Sequence, residues 1–141
     1  MTNETAATAY ILDSFALLAY LEGEAAGELV TAIFRAAAAR ETHIFLSLLN
    51  FGECLCIIER ERGMTRAQEM IAIVDQLPIE VVGVDQARVF AAAHIKAHFP
   101  LSYADAFAVS LAQEFKATVL TGDPEFQSAE TIVSIKWLPQ T

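Results

Sequence analysis

Residues 101–126, LSYADAFAVSLAQEFKATVLTGDPEF, decide how the chain is read. Tyr103–Phe115 has helical periodicity, and Thr118–Thr121 is a short apolar run that suits a buried strand. Ser102-Tyr-Ala-Asp105 has the form of a capping box at the helix start. Asp123 follows the strand and precedes Pro124, the order expected of an N-cap with proline at the first helical position. A helix, a buried strand and a carboxylate at the strand's end form one repeating unit of an α/β fold.

The same alternation extends outward. Short apolar strand candidates lie at Tyr10–Leu12, Ile44–Ser47, Ile79–Val84, Thr118–Thr121 and Ile132–Ile135. Helical patterns fill Phe15–Leu21, Gly27–Arg40, Leu48–Arg62, Arg66–Gln76, Gln86–His98 and Tyr103–Phe115. Thr65-Arg-Ala-Gln68 and Asp85 are helix-start signals, while Gly63 and Pro100 mark helix ends. Strands alternating with helices predict a parallel sheet covered on both faces. In such sheets ligands bind at the carboxyl ends of the strands, beside the point where the strand order reverses.

Composition sets the bounds. The 141 residues, 15.4 kDa, are expected to form a single domain over residues 1–141. With 55% hydrophobic and 19% charged residues, the chain supports a core and excludes wholesale disorder. Lys and Arg number 9 against 18 Asp and Glu, so the net charge is −9 and the pI near 4.6. Bulk charge therefore excludes simple electrostatic attachment to nucleic acid or to an anionic membrane. A bound divalent cation or a local basic strip would still admit nucleic acid. No apolar run reaches the length that spans a bilayer, and Asp13 interrupts the first apolar stretch, so no membrane span or signal peptide is expected. The expected location is the cytoplasm. Cys54 and Cys56 fit that, since residues two apart on a helix point to different sides and do not pair.

Four carboxylates fall at the predicted carboxyl edge or on helix starts facing it. Asp13 follows the first strand, Glu53 lies on the helix after the second, Asp105 opens the helix before the fourth, and Asp123 follows the fourth. Each has a structural reading too: Asp13 and Asp123 as helix caps, Asp105 as a favourable charge in a first helical turn, Glu53 as a solvated flank. Gathered together, unpaired acids would repel and pay for desolvation. A hard divalent cation removes that conflict, takes oxygen ligands and suits phosphate chemistry.

The order and spacing of Tyr10-Ile-Leu-Asp13-Ser14, Ser47-Leu-Leu-Asn-Phe-Gly-Glu53, Leu101-Ser-Tyr-Ala-Asp105-Ala and Thr118-Val-Leu-Thr121-Gly-Asp123-Pro-Glu-Phe126 resemble the PIN-domain ribonucleases, above all the small VapC-type toxins of toxin–antitoxin pairs. The resemblance implies a three-layer α/β/α fold with a five-stranded parallel sheet in the order 3-2-1-4-5. It implies endonucleolytic hydrolysis of RNA, dependent on Mg2+ or Mn2+, by a metal-activated water. Asp13 and Asp105 would be the main metal ligands, and Glu53 and Asp123 would complete the acidic cluster. Ser14 and Thr121 match supporting hydroxyl positions, and Asn50 lies one turn before Glu53 on the same side of its helix. Gly52, just before Glu53, departs mildly from the pattern and loosens the helix there. The resemblance further implies a small antitoxin as partner, one that inserts a basic residue among the acids, and a homodimer, here assigned in part to Leu48–Arg62 and Arg66–Gln76.

Other features carry less. Arg60, Arg62 and Arg66 are the one basic cluster and read either as solvated helix-end charge or as a contact to the RNA backbone. His94 and His98 have the i,i+4 spacing of zinc ligands, but no third ligand accompanies them. No glycine-rich phosphate loop or nucleophile elbow occurs. Two other functions fit parts of the sequence. A receiver-like signalling domain would need a phosphoacceptor Asp ending the third strand, where Val84-Asp85 reads as a helix cap. The alternative that stays open is a catalytically silent PIN-like binding module, although the presence of all four acids does not suggest silence.

Overall fold

The computed structural model describes residues 8–139. Its elements run β1 (Thr8–Leu12), α1 (Ser14–Leu21), α2 (Gly27–Ala38), β2 (Thr42–Ser47), α3 (Leu48–Arg62), α4 (Met64–Asp75), β3 (Glu80–Val82), α5 (Gln86–His98), α6 (Tyr103–Phe115), β4 (Thr118–Thr121), a 3-10 segment (Pro124–Thr131) and β5 (Ile135–Trp137). The strands form one parallel sheet in the order β3-β2-β1-β4-β5, as the resemblance implies.

Alternation along the strands builds the layers. Ile11, Phe45, Val82 and Val119 face one side and pack with residues of α5 and α6, among them Ile95, Phe107 and Leu111. Leu12, Ile44, Leu46 and Leu120 face the other side and pack against Leu17, Val30, Phe34 and Cys54. Adjacent residues on one strand thus serve opposite cores, as a pleat requires. Both faces of β1 and β4 are covered, which is why Ile11-Leu12 and Val119-Leu120 read as unbroken apolar runs.

The chain places β2 and β3 to one side of β1, then crosses to β4 and β5 on the other. The order reverses between β1 and β4, whose register pairs Leu12 with Leu120. Asp13 and Thr121 follow those two residues, so both emerge at the reversal point. This order also removes the receiver-like reading. In that fold the third strand lies inside the sheet. Here β3 is the sheet's outer strand, and Asp85 beyond it caps α5 by accepting from the Arg88 amide at 2.8 Å.

Some expected boundaries move. The last strand is Ile135–Trp137 rather than Ile132–Ile135, because the 3-10 segment after Asp123 ends through Ile132 and Val133, whose amides both bond Ala129 O at 3.0 Å. The third strand shrinks to Glu80–Val82, since only that stretch pairs with β2. Helix α4 begins at Met64, with Gly63 at φ 92° as N-cap and no side-chain cap, so Thr65-Arg-Ala-Gln68 is not a capping box. Among the described residues no helix is long and apolar enough to cross a membrane.

Candidate active site

Asp13 is an N-cap held by the fold. Its backbone amide bonds Leu120 O at 3.4 Å, and its Oδ1 accepts from the Ala16 amide at 2.8 Å. Its other oxygen, Oδ2, accepts a short hydrogen bond from the Thr121 hydroxyl. Thr121 Oγ1 in turn accepts from the Asp123 amide at 2.9 Å. The hydroxyl's single proton goes to Asp13 while one of its lone pairs receives the Asp123 N–H. Asp13 is 1% exposed and Thr121 is fully buried.

A second chain of the same form serves Glu53. Asn50 Nδ2 donates to Ser14 Oγ at 3.0 Å, and Ser14 Oγ donates to Glu53 Oε1 at 2.5 Å. Ser14 and Asn50 are buried and Glu53 is half-buried. Asn50 Oδ1 is the one buried side-chain polar atom without a hydrogen-bond partner among the described residues. Ser47 caps α3 through the Leu49 amide at 3.1 Å, which sets the helix that carries Asn50 and Glu53 at the end of β2.

Asp105 lies in the first turn of α6 and is buried; its amide donates to Ser102 Oγ at 3.1 Å, as the capping signal predicts. Burial is the main reason that both Asp13 and Asp105 are held up to about 7 rather than the usual carboxyl value. For Asp13 the bonds from Thr121 and Ala16 pull the other way, and the charges of Asp105 and Asp123 push it further up. For Asp105 the charges of Asp123, Glu53 and Glu125 add to burial, against the Ser102 bond. The four predicted acids therefore lie within each other's field. Glu125 joins that field, a role sequence reasoning missed although the residue stands in the T-G-D-P-E-F run. No ion pair reaches Asp13, Glu53, Asp105 or Asp123 among the described residues.

Can this group hold a divalent cation? Among the described residues no three His, Cys, Asp or Glu side chains converge closely enough to enclose an ion by themselves. The donor set nevertheless fits a hydrated hard cation. The acids supply oxygen donors, Mg2+ usually retains several waters, and a water bound to a cation is a hydrogen-bond donor in need of acceptors. The orphaned Asn50 Oδ1, buried beside Ser14, is such an acceptor. Asp13 and Asp105 are the groups that would hold the ion, and its charge would offset their burial cost.

Gly122 completes the loop between Thr121 and Asp123. A Cβ there would stand 2.3 Å from the Phe15 ring, so any other residue must displace that ring from the loop. Each arginine of the basic cluster at the α3–α4 turn has a local partner. Arg62 pairs with Glu22 at 2.8 Å, Arg66 with Glu69 at 3.2 Å, and Arg60 Nη2 donates to Cys56 Sγ at 3.2 Å. His94 and His98 stack edge-on at 5.0 Å, and neither belongs to a metal-binding group.

Residues 10–131 match the PIN domain family. The chain is a PIN-domain protein. Solved structures share its fold at low sequence identity. VapBC2 from Rickettsia felis, bound to a DNA fragment from its promoter, superposes with TM-score 0.72 at 13% identity, covering 94% of this chain and all of that one. The Mycobacterium tuberculosis toxin VapC20, described as cleaving the sarcin–ricin loop, gives TM-score 0.67 at 19% identity over 85% of this chain and 94% of its own. FitAcB from Neisseria gonorrhoeae gives 0.66 at 16% identity over 89% and 95%. No curated protein matches this sequence.

Proposed function

We infer that this PIN domain is a metal-dependent endoribonuclease and the toxin of a VapC-type toxin–antitoxin pair, working as one domain over residues 1–141. The observation that carries this reading is the placement of buried Asp13 and Asp105 in one electrostatic field at the reversal point of the sheet, without a cationic partner among the described residues. Structural likeness to toxins of such pairs supports the biological role.

Asp13 and Asp105 would hold Mg2+ or Mn2+, with Glu53 and Asp123 completing the negative surface around it. Such a cation would supply positive charge for a phosphodiester and lower the pKa of a water so that it is available as hydroxide. Thr121 fixes Asp13 by donating to Oδ2, a bond that favours the ionised form against the cost of burial. Ser14 fixes Glu53 by donating to Oε1, and Asn50 backs it by donating to Ser14 Oγ. Glu53, half-buried and held by the Ser14 hydroxyl, would orient a water and take its proton. No side chain acts as nucleophile.

RNA reaches the site past the α3–α4 turn, where Arg60, Arg62 and Arg66 contact phosphates. Arg62 must leave Glu22 to do so. The partner is a small antitoxin whose basic side chain neutralises the same acids, and the domain works as a homodimer in the cytoplasm. Exposed Leu49, Met64 and Ile71 on α3 and α4 supply apolar surface for such contacts.

The test is cleavage of a mixed RNA pool by the purified protein with Mg2+ or Mn2+, against EDTA and against Asp13→Asn. Cutting that needs the metal and disappears in the variant is the expected result. A folded, partner-free protein that cuts equally in EDTA, or a variant as active as the wild type, would remove the assignment.

A further inference from the structure

The side chain of Asn50 is buried completely, yet it spends one polar end on a serine and leaves the other without a partner. That is costly for a residue with only a packing role, since a buried acceptor without a partner carries the full penalty of its lost hydration. The orientation of its amide is dictated by its neighbours. Ser14 Oγ has a single proton, and the nearby Glu53 carboxylate can only accept. Ser14 therefore donates to Glu53, and Asn50 must present N–H rather than oxygen to Ser14. A second acceptor competes for that proton: the Asn50 backbone carbonyl lies 3.4 Å from Ser14 Oγ. With Nδ2 occupying its lone pair, the hydroxyl is turned to Glu53. Without it, the hydroxyl is free to rotate to the backbone carbonyl and release the carboxylate.

We propose that Asn50 is a positioning residue that aims the Ser14 hydroxyl at Glu53 while its own Oδ1 accepts a hydrogen bond from a water of the hydrated divalent cation. The proposal rests on the nuclease reading of this site and deepens it. The helix makes the arrangement compact: Asn50 and Glu53 are one turn apart on α3, and both reach Ser14 across the top of β1. It also assigns a use to an acceptor that no protein group fills.

Removing a residue that orients metal ligands typically weakens metal binding 10–100-fold. The test is calorimetric titration with Mn2+ of the wild type, Asn50→Leu, Ser14→Ala, the double variant and Asp13→Asn, with melting temperatures measured alongside. Leucine fills similar space and removes the unmet acceptor, so Asn50→Leu is expected to melt at or above the wild-type temperature. Its Mn2+ affinity is expected to fall about 10-fold or more. Since Asn50 acts in part through Ser14, the double variant should lose clearly less than the product of the two single losses. Where Asn50→Leu does not fold, Asn50→Ala carries the same comparison. Wild-type Mn2+ affinity in a folded Asn50 variant would overturn the positioning role alone. Losses that multiply fully in the double variant would overturn the route through Ser14. Wild-type protein with no Mn2+ binding sensitive to Asp13→Asn would overturn the nuclease reading and this proposal with it.

Discussion

Two hydroxyl groups in this molecule do the same work with different backing. On β4, Thr121 donates to Asp13 and is itself oriented by the backbone amide of Asp123. On α1, Ser14 donates to Glu53 and is oriented by the side-chain amide of Asn50. The first arrangement is locked by the chain's path and lies deep in the protein. The second depends on one replaceable side chain and serves a half-buried acid. The difference teaches where the fold commits itself. Asp13, at the reversal point, is fixed by the sheet; Glu53 is adjusted by a helix laid beside it. Charges elsewhere behave in the ordinary way. Arg88 with Glu114 and Arg66 with Glu69 lie near solvent beside an opposite charge, where pairs contribute little to stability.

The largest effect should follow removal of charge at the locked end. Asp13→Asn is expected to lower RNA cleavage by about 10²–10⁴-fold, the size of effect seen when a positioned catalytic group is lost. Melting temperature should hold or rise above pH 7, because a neutral amide avoids the burial cost of the carboxylate. Cleavage rates and melts of the same samples check both halves.

The pH dependence of stability sharpens the comparison. Asp13 and Asp105 are raised from 3.8 to about 7 in the folded protein. Between those values the native state binds more protons than the unfolded chain, so stability contributed by these groups declines as pH rises from about 4 to 7 and levels off above. Melting curves across that range without divalent cation should show a negative slope that Asp13→Asn reduces. Thr121→Val, which removes a bond that favours the ionised form, should carry the decline to higher pH. A slope unchanged by either variant would contradict the placement of Asp13.

Next in size is Gly122→Ala. Its Cβ would overlap the Phe15 ring, and crowding of this kind costs roughly 1–3 kcal/mol. Chemical denaturation should read that loss, together with weaker catalysis as Asp123 shifts. The smallest effect belongs to Arg62→Ala. Its partner pair is surface-exposed, so stability should change by less than about 1 kcal/mol. The salt dependence of RNA binding should flatten by about one unit of slope if Arg62 meets a phosphate. An unchanged slope would remove it from the RNA contact.

Much of this arrangement was legible in the sequence because it follows from local rules. Alternating apolar strands and amphipathic helices gave the α/β class, Ser102 and Asp85 did cap their helices, and the four acids followed from strand ends and helix starts. The strand order itself came with the family resemblance. What escaped is non-local. Ser14, Asn50 and Glu53 meet across more than thirty residues, and no periodicity announces which hydroxyl faces which acid. Phe15 against Gly122 joins distant segments. The 3-10 segment at Pro124–Thr131, started by Pro124 and the Asp123 cap and closed by the Ile132 and Val133 amides on Ala129 O, moved the last strand from Ile132 to Ile135. Arg62 looked free for RNA until its helix brought it to Glu22.

The most direct test of the account is the effect of Mn2+ on melting at pH 8, for the wild type beside Asp13→Asn. At that pH the two central carboxyls are ionised and buried without a cation of the protein's own among the described residues. The account predicts that millimolar Mn2+ raises the wild-type melting temperature and leaves the variant nearly unmoved, since an ion that binds only the folded state stabilises it. No rise in the wild type, or an equal rise in both proteins, would contradict the claim that these buried acids form a cation site.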